Sequence, residues 1–240
     1  MNAIILAAGM GNRLQPYTEI TPKPLMVVNG TSIIERQIVF LKEVGISDIN
    51  VVVGYKAEMF QYLENKHEVH LIFNPKYEIY NNIYSLSLCK DVLKNTWIIE
   101  GDVFLNKNFL IPAITASTYF SIFKSDISRE WILEFSQKQI LRQIIIPDQH
   151  LTNTTYKAGA YVMSGVSFWV QSSTDIIKNY LNDLVQIIDG EENHSILHFY
   201  WDQIIKENLD KLNITVQKLR KNDCYEIDTI RDLDLLLSEV

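Results

Sequence analysis

Ala3-Ile4-Ile5-Leu6-Ala7-Ala8-Gly9-Met10-Gly11-Asn12-Arg13-Leu14 is the stretch on which the reading of the fold turns. Ala3 to Leu6 is a short β-prone apolar run, and Ala7 to Asn12 breaks it with small residues. The pattern predicts a buried strand running into a small-residue loop. Whether it opens an alternating α/β fold depends on the pattern of the chain beyond Leu14.

That pattern is an alternation. Ser32 with Glu35 forms a capping box, Ile33, Ile34, Gln37, Ile38 and Leu41 keep helical spacing, and Gly45 closes the helix. Asn50 to Val53 then reads as a strand, Ala57 to Asn65 as a helix, Leu71 to Phe73 as a strand, Ile83 to Leu93 as a helix and Trp97 to Ile99 as a strand. Strands and helices alternating at this pitch predict crossover units on a mostly parallel, Rossmann-like sheet flanked by helices. After Asp102 the texture changes. Tyr119 to Phe123, Trp131 to Phe135, Ile140 to Ile146 and Gly165 to Trp169 are strand-like with few helices between them, which predicts a smaller inserted antiparallel β lobe in the later half. Ser173 to Ile188 and Trp201 to Leu209 read as helices, Thr215 to Lys218 and Tyr225 to Ile227 as strands, and Thr229 to Glu239 as a closing helix. The expected organisation is one domain over 1–240: a nucleotide-binding part over about 1–118, an acceptor-binding lobe over 119–224 and a return to the core over 225–240.

Composition narrows the function classes. The chain has 240 residues, enough to bury a sizeable core, and 47% of them are hydrophobic against 21% charged, which excludes disorder as its main state. A net charge of −7 draws the whole chain neither to nucleic acid nor to anionic lipid, so any phosphate site must be locally basic. Cys89 and Cys224 stand far apart, outside any zinc spacing, and no run of about 18 apolar residues suggests a membrane span. A soluble cytoplasmic protein with reduced thiols is the expectation.

In open α/β sheets ligands bind beyond the carboxyl ends of the strands, which is where Leu6 to Leu14 lies. Ala7, Ala8, Gly9 and Gly11 let backbone amides approach phosphate oxygens closely. Arg13 adds a forked, delocalised charge and Lys23, held in Thr21-Pro22-Lys23-Pro24-Leu25, adds a point charge. Two cations on one loop suit a triphosphate. The spacing is neither that of a P-loop nor the dinucleotide GxGxxG.

Leu6 to Leu14 and Thr21 to Leu25 resemble the signature of nucleotidyltransferases that join a nucleoside triphosphate to a phosphorylated small molecule and release pyrophosphate. Asn81-Asn82-Ile83-Tyr84-Ser85, Glu130-Trp131, Ser164-Gly165-Val166-Ser167-Phe168-Trp169, Tyr200-Trp201-Asp202 and Tyr225-Glu226-Ile227-Asp228 narrow the resemblance to bacterial phosphocholine cytidylyltransferases. It covers nearly the whole chain, and Gln137 to Lys157 is the least similar part.

The resemblance implies transfer of CMP from CTP to phosphocholine, giving CDP-choline and pyrophosphate. It places Mg2+ on Asp102 and Asp228, each just beyond a strand, and catalysis on Arg13, Lys23 and Asp102. Leu6, Ala7, Ala8, Gly9, Gly11, Arg13 and Lys23 are the expected nucleotide contacts. A second aspartate is frequent in the family where Glu100 stands. For the acceptor, a quaternary ammonium has no N–H to donate and is held best by aromatic faces with a carboxylate nearby. Trp131, Tyr200 and Trp201 with Glu226 are expected to form that box, and Arg129 to hold the acceptor phosphate. Asn81, Asn82 and Ser85 could serve the base, the acceptor or a helix cap. Two other enzyme readings stay open, a cytidylyltransferase for 2-aminoethylphosphonate or phosphoethanolamine and a sugar-1-phosphate nucleotidylyltransferase. A non-catalytic nucleotide-binding subunit is a third, although it would have no physical need for Arg13, Lys23, Asp102 and Asp228 together.

Overall fold

The computed structural model describes residues 1–190 and 197–239. Its first strand, β1 (Asn2–Ala7), is buried along its whole length. Ala3, Ile5 and Ala7 enter one apolar core and Ile4 and Leu6 another, as the two-residue period of a strand covered on both faces requires.

Beside β1 lies β4 (Ile49–Val53), parallel to it, and beyond that β5 (His70–Phe73), also parallel. The connections carry α2 (Ile33–Glu43) and α3 (Tyr62–His67). After β5 the chain passes through α4 (Asn82–Ser87) and returns as β6 (Thr96–Glu100), parallel to β1 on its other side. Sheet growth therefore reverses direction at β1, and the crevice beyond the ends of β1 and β6 is the switch point where an α/β sheet takes its ligand.

The sequence signals locate these elements with local differences. At the start of α2 the Ser32 hydroxyl accepts from the Glu35 amide at 3.3 Å and donates to the Glu35 carboxylate at 2.9 Å, a capping arrangement worth about 1 kcal/mol. The helix expected over Ala57 to Asn65 begins instead as a 3₁₀ turn, Ala57–Phe60, because Lys56 before it stands in the left-handed region (φ 49°) and tightens the entry. The helix expected over Ile83 to Leu93 ends at Ser87, whose hydroxyl donates to the Tyr84 carbonyl at 2.8 Å and competes with the helical ladder.

The later strands are β7 (Val103–Leu105), β8 (Ser117–Lys124), β9 (Ile132–Phe135), β10 (Leu141–Ile145), β11 (Ala160–Trp169), β12 (Ile214–Lys218) and β13 (Cys224–Glu226). β8, β9 and β10 with β11 form the expected antiparallel addition, but it is hydrogen-bonded to the main sheet rather than separate: β11 pairs antiparallel with β6. The sheet runs β10-β9-β11-β6-β1-β4-β5, with β8 beside β11 and β12 parallel to β8. β13 pairs with β7 in a two-stranded ribbon at the mouth of the crevice.

The remaining elements are α1 (Tyr17–Ile20), β2 (Val27–Val28), β3 (Thr31–Ser32), α5 (Gln149–Asn153), α6 (Gln171–Gly190), α7 (Asp202–Glu207) and α8 (Ile230–Glu239). Cys89 and Cys224 are both buried and free. No helix among the described residues is long and apolar enough to cross a membrane.

Candidate active site

The ends of β1 and β6 form the floor of a cleft of about 740 Å³. Immediately after β6 the Gly101 amide donates to the Leu6 carbonyl at 2.9 Å. A Cβ on Gly101 would lie 2.9 Å from that same oxygen, so only glycine lets the two strand ends approach. The turn beyond Gly101 is held from below by α2, where the fully buried Gln37 amide donates to the Glu100 carbonyl at 2.9 Å and the Val103 carbonyl at 2.7 Å. Asp102 therefore projects from a fixed turn. Its carbonyl accepts from the Ile227 amide at 3.2 Å, which brings Asp228 beside it. β13 ends at Glu226, so Glu226 and Asp228 do not share a regular strand, although both line the cleft.

The two loop cations meet these aspartates. Lys23 Nζ lies 3.0 Å from Asp102 Oδ2 and 3.1 Å from Asp228 Oδ1, and Arg13 Nη2 lies 2.9 Å from Asp228 Oδ2. Burial alone would depress the Lys23 ammonium, but Asp102 and Asp228 outweigh it and its pKa is raised. Burial pushes Asp228 up, and Lys23 with Arg13 overcomes that, leaving its carboxyl below the usual range. Leu6, Ala7, Ala8, Gly9 and Gly11 line the same end of the cleft. Gly11 stands at φ 64°, in the left-handed region that favours glycine.

The opposite wall is aromatic. Trp131 and Tyr200 meet edge to face with centroids 5.9 Å apart, and Tyr200 is 44% exposed. Trp201 also lines the cleft but is only 2% exposed, held between Trp169 and Tyr119. Its indole N–H donates to Glu100 Oε1 at 3.1 Å, and the Asn82 amide donates to the same oxygen at 2.9 Å. Glu100 thus supports the aromatic wall through Asn82 and Trp201. Burial, then the charges of Asp102 and Asp202, pushes the Glu100 carboxyl well above its usual range.

Glu226, expected beside the aromatic rings, instead accepts from Lys124 Nζ at 3.1 Å, and Glu130 shares that ammonium at 2.7 Å. Burial raises Glu226 to about 7 against the pull of Lys124. A second carboxylate beside the rings, besides Glu100, is Asp202, at the start of α7, which the expected site omits. It lines the cleft, accepts from the Tyr119 hydroxyl at 2.7 Å, and is raised to about 7 by burial. Arg129 lies at the rim, exposed, with no ion pair among the described residues. Asn81 caps α4, its side chain accepting from the Asn82 amide. Ser85 is buried and accepts from Asn74 at 2.9 Å. Every residue expected from the sequence lines this cleft, Asp202 lines it as well, and Gln37 and Lys124 hold lining residues from behind.

Residues 3–99 match the model of the MobA-like NTP transferase domain. Over 97% of its length the chain is 43% identical to the choline-phosphate cytidylyltransferase of Streptococcus pneumoniae, covering 95% of that protein. The chain belongs to the choline-phosphate cytidylyltransferase family. A solved structure of the CTP:phosphocholine cytidylyltransferase from Streptococcus pneumoniae is 40% identical, superposes with a TM-score of 0.88, and matches 99% of this chain and 97% of its own. A 2-aminoethylphosphonate cytidylyltransferase of Lancefieldella rimae is 31% identical over 97% of this chain and 90% of that protein. The match to this cytidylyltransferase family therefore spans the whole sheet, including the antiparallel strands and the segments beside them that carry the aromatic wall.

Proposed function

We propose that the cleft transfers CMP from CTP to phosphocholine, releasing pyrophosphate, with the triphosphate at the Arg13 and Lys23 end and the choline group against Trp131, Tyr200 and Trp201. The observation that carries this reading is the meeting of a doubly cationic loop and an aromatic wall with a half-buried carboxylate in one cleft. Residues 1–118 would then serve mainly the nucleotide and 119–224 the acceptor, with 225–240 returning Asp228 to the nucleotide side.

The attacking phosphate needs no general base, because a phosphate monoester with a second pKa of about 6 is already largely dianionic at neutral pH. Positioning and charge neutralisation carry the reaction. Phosphocholine oxygen attacks the α-phosphorus in line and pyrophosphate leaves against Arg13 and Lys23. Arg129, exposed at the rim, holds the acceptor phosphate. Asp202, not Glu226, faces the quaternary ammonium, while Glu226 stays with Lys124 and steadies Glu130 next to Trp131.

Asp102 and Asp228 offer hard oxygen donors and already share one cation, so they fit magnesium. Bound there, magnesium supplies Lewis-acid neutralisation of the reacting phosphates.

The test is pyrophosphate release with CTP against phosphocholine, phosphoethanolamine, 2-aminoethylphosphonate and glucose-1-phosphate. A trimethylated ammonium buries apolar methyl surface against the rings, whereas a site for a primary amine would leave acceptors unpaired at a cost of about 1–3 kcal/mol each. Phosphocholine is expected to show the highest kcat/KM. An equal or reversed order would remove phosphocholine in favour of the amine acceptors and leave nucleotidyl transfer intact.

A further inference from the structure

The ammonium of Lys23 occupies an unusual place for a phosphate-binding lysine. It lies within 3.1 Å of both carboxylates assigned to the metal, and its side chain is 9% exposed. Arg13 completes the cluster on the other oxygen of Asp228. Two cations thus balance two carboxylates, and the cluster presents a nearly neutral surface to the cleft.

We propose that Lys23 is the resident counter-ion of Asp102 and Asp228, excluding free divalent cations until a nucleoside triphosphate draws its ammonium away and opens the aspartates to the metal. This rests on the reading of Asp102 and Asp228 as the metal-holding pair.

The reasoning is electrostatic. A divalent cation approaching the empty protein meets an ammonium already between the carboxylates and a guanidinium beside them. Displacing Lys23 into the cleft without another partner would leave a largely buried charge unpaired, which is costly. A triphosphate removes that obstacle by offering the ammonium a second anion. The covalent frame permits the exchange. Lys23 is fixed at its backbone between Pro22 and Pro24, and its stem runs beside the glycine loop, where a Cβ on Gly11 would stand 3.5 Å from Lys23 Cε. Rotation about the outer side-chain bonds is enough to carry Nζ from the aspartates toward that loop. Metal and nucleotide binding are then coupled: each favours the state in which Lys23 has left the aspartates, and each tightens the other by the same factor.

The experiment measures Mn2+ binding to the full chain by the loss of the free-ion paramagnetic signal, with and without α,β-methylene-CTP, subtracting an enzyme-free nucleotide blank. Unmutated protein, Lys23→Met, Arg13→Met and Asp102→Asn are compared. Lys23→Met is expected to bind Mn2+ alone about tenfold more tightly than the unmutated protein, within the usual range of coupling between sites, and to lose most of the gain that nucleotide brings. Arg13→Met, whose side chain is half exposed, is expected to give a smaller gain of about threefold and serves if Lys23→Met does not fold. If Asp102→Asn abolishes Mn2+ binding in the nucleotide complex while the folded cation variants bind Mn2+ alone no more tightly than the unmutated protein, the counter-ion role is overturned and the metal assignment stands. If Asp102→Asn leaves Mn2+ binding in that complex untouched, the metal assignment fails and the counter-ion role falls with it.

Discussion

At the charged edge of the cleft, Asp102 and Asp228 are set by main-chain hydrogen bonds, from Gly101 to Leu6 and from Ile227 to Asp102, with Gln37 clamping the turn between β6 and β7. At the aromatic wall the functional groups come from separate stretches, Trp131 just before β9 and Tyr200 and Trp201 just before α7, and side chains hold them. The Trp201 indole leans on Glu100, and its amide donates to the Asn82 side chain at 2.9 Å. The edge is thus built into the sheet, whereas the wall is an assembly of side chains that can be altered without moving a strand. On the proposed reading, chemistry belongs to the first and choice of acceptor to the second. The Lys124 ammonium, shared by Glu226 and Glu130, ties the two together.

The sharpest way to break this division is Asp102→Asn. Outer-shell partners of a metal alone are worth about 10–100-fold in affinity or activity, so loss of a direct ligand is expected to lower kcat by more than about a hundredfold. Unfolding should shift less than turnover, because the turn is held through backbone atoms and Gln37, and Lys23 keeps its ion pair with Asp228. Steady-state kinetics and thermal unfolding on the same preparation decide it. Near-normal turnover by a folded Asp102→Asn protein would take the chemistry away from the charged edge.

At the wall, Trp131→Ala removes one aromatic face from the acceptor end. A desolvated cation–π contact is worth about 2 kcal/mol, so kcat/KM for phosphocholine is expected to fall by about thirtyfold. The loss for 2-aminoethylphosphonate should be smaller, which narrows the preference between them, and the KM for CTP should stay put. Equal losses for both acceptors would mean that Trp131 shapes the cleft without reading the ammonium.

The same contrast explains how legible each region is in the sequence. β1, β4 and β6 announce themselves as short apolar runs because they are covered on both faces, and α2 through its capping pair Ser32 and Glu35. Arg13 and Lys23 are readable because they sit ten residues apart around one loop, and Asp102 and Asp228 because each comes after a strand-like run. Gln37 is not, since a glutamine within an apolar helical spacing looks like an ordinary interruption until the sheet places the Glu100 and Val103 carbonyls above it. Glu226 is expected near the rings as the carboxylate of the aromatic box, but its partner Lys124 is 102 positions away in the chain, and nothing local signals that pair. Asp202 is hidden by its setting, because an acidic residue in the first turn of a helix already has a dipole to explain it. Only the fold brings it against the Tyr119 hydroxyl.

The smallest expected effect tests Asp202 itself. Burial raises its carboxyl to about 7, so in the empty cleft it is largely protonated at pH 6 and largely ionised at pH 8. A quaternary ammonium beside it favours the ionised form. Cation binding should therefore strengthen as pH rises from 6 to 8 and weaken as pH falls through 7, by about fivefold to tenfold from the change in ionised fraction. Phosphocholine is a poor probe, since its own phosphate loses its second proton near pH 6. CDP-choline avoids that complication because its diphosphate bridge stays fully charged over the range, and its affinity can be measured by calorimetry at each pH. Asp202→Asn should flatten the profile and leave affinity near the low-pH value, because the amide resembles the neutral acid in size and charge. Glu226 also lines the cleft and is raised to about 7, so it titrates over the same range. A profile that keeps its slope in Asp202→Asn would move the pH-sensitive partner from Asp202 to Glu226 while leaving the aromatic wall in place.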